Sequence, residues 1–248
     1  MTSTNRNPAV YHENYETPRW VVHRLLEEVW LPPGHWIEPC AANGRIIQAV
    51  CEDRPGCISF TAVELRKECL PNLLLAGPQL LEAGRKKNDP RLIHCPRDFI
   101  KGFSPSEHRP LIEGTGSYFD VAITNPPFSK SFEILSKCLV IAEYVAMLQR
   151  TDWLSGGSNN GKNEFLRSYP PNVHPLPDRI KFMVNGQFPR YPMDFEKVEL
   201  RGKTMPGDSS DYSWFVWPPK NERRRDFGLV RNLGITSLEE RTQNELSG

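Results

Sequence analysis

Apolar and polar positions along the chain fall into short blocks with the two periods of regular structure. From Thr17-Pro18 onward, Trp20, Val21, Leu25 and Val29 recur near helical spacing, and a threonine cap followed by proline suits a helix start. Past the Leu31-Pro32-Pro33-Gly34 break, His35-Trp36-Ile37 reads as a short strand ending at Glu38. A turn through Asn43-Gly44 then leads into a helix from Arg45 to Cys51. Ile58 to Val63 is a second strand, ending at Glu64; Arg91 to Cys95 is a third, followed by Asp98. Tyr118 to Thr124 is a fourth, running into Asn125-Pro126-Pro127-Phe128. A helix from Lys130 to Ala142 precedes a fifth strand at Tyr144 to Gln149. Strands alternating with helices predict an α/β fold with a mostly parallel, doubly wound sheet. The later strands, Arg179 to Met183 and Tyr212 to Trp217, have no helix between them and are expected as an antiparallel hairpin at one edge.

Composition narrows the picture. With 38% hydrophobic and 25% charged residues, the 248-residue chain is globular and long enough for a sizeable core. No apolar run reaches a membrane span, and the MTSTNRNPAV start has no secretory core, so a cytoplasmic protein is expected. The six cysteines form no C-x-x-C pair and the six histidines show no ligand spacing, so no metal is expected and the thiols read as reduced and mostly buried. The net charge of +1 neither supports nor excludes a polyanionic partner. The basic runs Arg85-Lys86-Lys87 and Arg223-Arg224-Arg225 would matter only beside a site.

Ligands of parallel sheets sit at the carboxyl ends of the strands. Four strands here end near polar groups: Glu38, Glu64, Asp98 and Asn125. The turn Glu38-Pro39-Cys40-Ala41-Ala42-Asn43-Gly44 has small residues that let a ligand approach the backbone. Glu64, about twenty residues past that turn, has the spacing of a carboxylate that accepts from ribose hydroxyls. The G-x-G-x-x-G pattern is absent and no lysine follows the turn, so a nucleoside without phosphates fits better than a dinucleotide. Taken alone, the segment also fits an ordinary structural turn.

Asn125-Pro126-Pro127-Phe128 is the sharper signal. Two prolines stop the strand abruptly and stiffen the loop. The Asn125 side-chain oxygen and the Pro126 carbonyl are placed to accept from a bound –NH2, aiming its lone pair, and Phe128 to stack on the ring that bears it. With a sulfonium as methyl donor, positioning supplies most of the catalysis, and Asn125, Pro126, Pro127 and Phe128 are the candidate catalytic residues.

These motifs, in this order, resemble the S-adenosylmethionine-dependent amino-methyltransferases, specifically the N6-adenine DNA enzymes and their small phage and prophage relatives. The resemblance spans roughly the first half of the chain: a Thr-Pro segment, the turn, an acidic strand end, Asp98-Phe99 and Asn-Pro-Pro-Phe. It implies a Rossmann-like seven-stranded sheet and S-adenosylmethionine as cofactor. By that resemblance Tyr15 and Thr17, with Glu38 and Cys40, hold the methionine end. The turn residues Pro39, Ala41, Asn43 and Gly44 border the cofactor. Glu64 takes the ribose and Leu65 lies beside the adenine. Asp98 accepts from the adenine amine, Phe99 packs on that ring, and Asn125 reaches both cofactor and target base. DNA, double- or single-stranded, is the implied partner, with an RNA base or a protein glutamine as the alternative acceptor. The family's turn carries glycine where this chain has Ala42.

The whole chain is expected to form one methyltransferase domain, with residues 1–14 as a flexible arm and 220–248 as a tail. About thirty residues follow Trp217, too few for a separate target-recognition domain. Selectivity is then expected to be low or to come from loops at Thr151–Lys162 and Gln187–Asp211. In the second, Phe188, Arg190, Tyr191, Arg201 and Lys203 blend basic and aromatic groups suited to nucleic acid. Trp214 and Trp217 read as core.

Overall fold

The computed structural model describes residues 15–76, 92–154, 162–180, 183–184 and 210–222. Its main sheet is built from β2 (Gly34–Glu38), β3 (Ile58–Val63), β4 (Leu92–Cys95), β5 (Phe119–Thr124), β6 (Ala142–Arg150), β7 (Asn172–Pro175) and β9 (Tyr212–Trp217). These seven strands lie in the order β4-β3-β2-β5-β6-β9-β7. The first five are mutually parallel, whereas β9 runs antiparallel to both β6 and β7. The chain leaves β2 for β3 and β4 on one side, then crosses to β5 on the other. The order therefore reverses between β2 and β5, where the carboxyl ends of parallel strands open a crevice.

Helices cover both faces because the strands are apolar on both. On one side, α1 (Arg19–Glu28), α2 (Arg45–Asp53) and α3 (Leu70–Ala76) pack Val21, Leu25, Ile47 and Leu73 onto Trp36, Phe60, Val121 and Ile123. On the other, α4 (Ser131–Ile141) packs Ile134, Leu135 and Cys138 onto Ile37, Val63, Ala122 and Val145. Trp36 and Ile37 thus alternate between the two cores, as a strand's period of two requires. A further helix, α5 (Lys162–Ser168), begins where the expected Thr151–Lys162 loop ends.

Asp120 pins β2 against β5. Its carboxylate accepts from the His35 N–H at 2.7 Å, and a Cβ built on Gly34, whose φ is +133°, would lie 2.2 Å from Asp120 Oδ2. Only glycine fits there.

Two expectations need correction. The edge partner of β9 is β7, not Arg179–Met183; Met183–Val184 is instead β8 and pairs antiparallel with β1 (Tyr15–Glu16). Pro170-Pro171 precede β7 and Pro175 ends it, and an edge strand tolerates proline because its outer N–H groups need no partner. Nor does Thr17 cap α1. The N-cap is Pro18, with no side-chain cap bond, and the Thr17 hydroxyl is used elsewhere.

All six cysteines are free thiols, four of them buried, with Cys57 exposed and Cys40 half-buried. Every residue of β9 is buried, and both of its tryptophans are in the core: Trp214 Nε1 donates to the Val21 carbonyl and Trp217 Nε1 to that of Tyr169. Among the described residues, no helix is long and apolar enough to cross a membrane.

Candidate active site

A cleft of about 300 Å³ lies at the carboxyl ends of β2, β3 and β5. That is the size of a small-molecule site. Thr17, Glu38, Pro39, Cys40, Ala41, Glu64, Leu65, Asp98, Phe99, Asn125 and Pro127 all line it, so one cavity gathers most residues singled out from the sequence.

The floor is the turn between β2 and α2. Ala42 stands at φ +46°, a left-handed conformation that costs a residue with a Cβ about 1–2 kcal/mol. The chain therefore keeps, with alanine, a backbone that glycine would adopt freely. The turn exposes the Ala42 N–H, which donates to Glu64 Oε2 at 2.7 Å. Gly44 is also left-handed, at φ +76°, and a Cβ there would come within 2.8 Å of the Ala76 Cβ on α3. Asn43 donates to Glu16 Oε1 and accepts from Asn72. Asn43 and Gly44 thus shape the turn without lining the cavity.

Glu38 is the electrostatic oddity. It is 2% exposed, and its Oε2 has no hydrogen-bond partner. Burial, reinforced by the negative charge of Glu64, pushes its carboxyl well above the usual carboxylate range, with the Ile47 N–H pulling weakly the other way. A buried carboxyl in this state gains from a cationic partner. Burial also raises the neighbouring Cys40 thiol, which keeps it protonated and a poor nucleophile.

Glu64 is the opposite case, since both oxygens are engaged. Besides Ala42, it accepts from the Arg66 N–H at 2.8 Å, Arg66 Nε at 2.9 Å and Arg66 Nη2 at 3.1 Å. Further along the wall, Asp98 Oδ1 accepts from the N–H groups of Ile100 and Lys101, folding the loop back so that Phe99 is buried beneath it. Lys137 on α4 fixes this loop from below, donating to the carbonyls of Phe99 at 2.5 Å, Phe103 at 2.7 Å and Ile100 at 3.3 Å. Burial lowers its pKa, and the nearby Asp98 charge partly offsets that.

At the end of β5, Asn125 Nδ2 donates to Thr17 Oγ1 at 3.1 Å, a bond spanning 108 positions of sequence. Thr17 is brought there by β1, whose Glu16 also pairs with Arg45 Nε at 3.1 Å. Pro126 is buried. Phe128 does not line the cavity; it stands half-buried with its ring 6.0 Å from that of Tyr212.

Sequence reasoning overlooked Glu16, Arg45 and Arg66, all of which border the cleft. Their signal was position alone: Glu16 precedes Thr17, and Arg66 follows Glu64 by two residues. Tyr15 lies in β1, and its side chain is outside the described residues, as are Phe188, Arg190, Tyr191, Arg201, Lys203, the Ser155–Gly161 stretch and both basic runs. Among the described residues, no cluster of histidine, cysteine and carboxylate side chains could hold a metal ion.

No protein-family model and no curated protein matches the chain. Solved structures do. A candidate RNA methyltransferase from Pyrococcus horikoshii aligns over 86% of this chain and 90% of its own, with a TM-score of 0.50 and 16% identity. A type I restriction-modification methyltransferase subunit from Streptococcus thermophilus aligns over 94% of this chain at TM-score 0.53 and 15% identity. A candidate class I S-adenosylmethionine-dependent methyltransferase from Listeria monocytogenes aligns over 92% of this chain and 68% of its own, at TM-score 0.51 and 12% identity. The fold is the Rossmann-like fold that these methyltransferases share. This chain spans 53% of the length of the Streptococcus subunit.

Proposed function

We propose that the protein is an S-adenosylmethionine-dependent methyltransferase acting on an exocyclic amine, with N6 of adenine in DNA as the acceptor. The observation that carries this reading is the single cleft in which Glu38, Glu64, Asp98 and the Thr17-bound Asn125 converge at the strand-order reversal.

The residues fit the cofactor. The buried carboxyl of Glu38, with Oε2 unpartnered, suits the ammonium of the methionine end, which would supply that oxygen's hydrogen bond and a charge. Thr17 and Cys40 stand beside it. Glu64 has the placement for ribose hydroxyls. Asp98 keeps Oδ2 for an adenine amine, its Oδ1 being committed to its own loop. S-adenosylmethionine, when bound, supplies a methyl group on a sulfonium, which needs no metal and no strong base.

The chain's own residues then have to orient an amine. With Nδ2 committed to Thr17, the rotation of the Asn125 amide is set and its acceptor is Oδ1. Oδ1 and the Pro126 carbonyl accept the two N–H bonds of the acceptor, which turns its lone pair toward the cleft. Phe128, outside the cofactor cleft and beside Tyr212, forms the stacking surface for a base taken out of its strand.

The test is to incubate the protein with methyl-labelled S-adenosylmethionine and unmethylated duplex and single-stranded DNA, then hydrolyse and identify the modified nucleoside. Labelled N6-methyladenine supports the reading. If DNA stays unlabelled, label that is lost to RNase or to protease digestion of a cell extract would reassign the acceptor to an RNA base or a protein glutamine.

A further inference from the structure

Glu64 is a carboxylate with no room left. Two oxygens offer about four acceptor positions, and four donors fill them: the N–H of Ala42, the N–H of Arg66, and Nε and Nη2 of Arg66. The pair is well buried, with side-chain exposures of 15% for Arg66 and 5% for Glu64. Both residues line the cleft.

Two of the four donors cannot move cheaply. The Ala42 N–H belongs to the strained turn at φ +46°, and the Arg66 N–H belongs to the main chain leaving β3. The guanidinium is the only movable part. A diol that seeks Glu64 must therefore compete with the Arg66 side chain for the same lone pairs.

We infer that Arg66 is a latch on the nucleoside seat: its guanidinium holds the Glu64 carboxylate and must be released for a ribose to bind. The inference rests on the cofactor reading above and adds to it a residue that sets cofactor affinity by competition. Releasing the latch exchanges a forked, charge-assisted contact for two neutral hydroxyl donors, so the exchange opposes binding. The latch also has an electrostatic use. Glu38 and Glu64 are coupled carboxylates, and the guanidinium neutralises one of them. A chain without Arg66 leaves the Glu64 carboxylate without its cation, and any donor that reaches Glu64 gains more.

The experiment measures binding rather than turnover. S-adenosylhomocysteine and 5′-deoxy-5′-methylthioadenosine, the second carrying only the nucleoside, are titrated calorimetrically at pH 8 into the unaltered chain and into Arg66→Met. The expected result is that Arg66→Met binds both roughly five-fold more tightly, the scale of a partly screened ion pair. Methionine alone, which does not reach Glu64, should bind both chains equally. Equal or weaker nucleoside binding by Arg66→Met overturns the latch while leaving the cofactor reading intact. Should Arg66→Met fail to fold, Arg66→Lys replaces it: a lysine keeps the charge but cannot fork onto both oxygens, and a smaller tightening is expected, with equal or weaker binding overturning the latch. Failure of the unaltered chain to bind either nucleoside overturns both readings.

Discussion

Glu38 and Asn125 have separate parts in the proposed reaction, and each has its own signature. The Glu38 carboxyl holds its proton more strongly in the folded chain than in the unfolded one, because it is buried beside Glu64. The folded state therefore binds more protons between the ordinary carboxylate value and the raised one, and stability falls as pH rises through that window. Replacing Glu38 by Gln removes a group whose ionisation burial opposes. The ligand-free variant should melt about 2–4 °C higher, since roughly 1 kcal/mol is at stake in a chain of this size. The same change should weaken S-adenosylhomocysteine binding at least tenfold, because the amide cannot pair with an ammonium. Higher stability with lost affinity marks a residue kept for binding; lower stability would make Glu38 structural. Asn125→Ala should differ in kind. On the proposed mechanism it removes the acceptor that orients the amine, so kcat should fall by a hundredfold or more, on the order seen when a transition-state hydrogen bond is lost. Cofactor affinity, measured by calorimetry, should change little.

The elements decide whether those side chains meet. Thr17 and Asn125 are 108 positions apart, and they touch because β1 delivers the first to the end of β5. Thr17→Val keeps the shape and deletes the bond. The expected outcome is a ten- to hundredfold loss in kcat (roughly 1.4–2.7 kcal/mol) with near-normal folding, checked by steady-state kinetics beside a melting curve. The turn under the cleft gives a matched pair. Gly44→Ala places a Cβ at φ +76° and 2.8 Å from Ala76, and should cost about 2 kcal/mol or more by chemical denaturation. Ala42→Gly relieves a left-handed alanine at the expense of unfolded-chain freedom, and should stay within about 0.5 kcal/mol. What the sequence displayed well were elements whose pattern is local: β2, β3 and β5 with their polar carboxyl ends, and α2 and α4 with their apolar faces. Its misreadings involved partners distant in sequence. The proline-bracketed β7 has too few residues for a period to register, and its pairing depends on β9 some forty positions away. Thr17 carried the signature of a helix cap, yet Asn125 claims its hydroxyl. Arg66 had no pattern to betray it, because its meaning comes from the oxygens that it covers.

At the scale of the whole molecule, the cleft is where five separate stretches of chain meet: Glu16–Thr17 at the end of β1, the Glu38–Ala42 turn after β2, and the loops after β3, β4 and β5. Direct bonds across the gaps include Asn125 to Thr17, Arg45 and Asn43 to Glu16, Ala41 to Val63 and Ala42 to Glu64. A nucleoside amino acid spanning the cleft would bridge several of these stretches and bind only the folded chain. By linkage, ligand at a hundred times its dissociation constant adds about 2.7 kcal/mol to stability. For a chain of this length that raises the melting temperature by roughly 5–10 °C. S-adenosylhomocysteine should produce this shift in the unaltered protein, and Asn125→Ala should retain nearly all of it because that residue faces the acceptor. Glu64→Ala should lose most of it, since neither the ribose nor the Ala42 N–H then has its acceptor. A shift that survived in Glu64→Ala would place the nucleoside elsewhere, and one lost in Asn125→Ala would give that amide to the cofactor instead of to the amine. The three melting curves therefore separate a seat for the cofactor from a seat for the base within the same cleft.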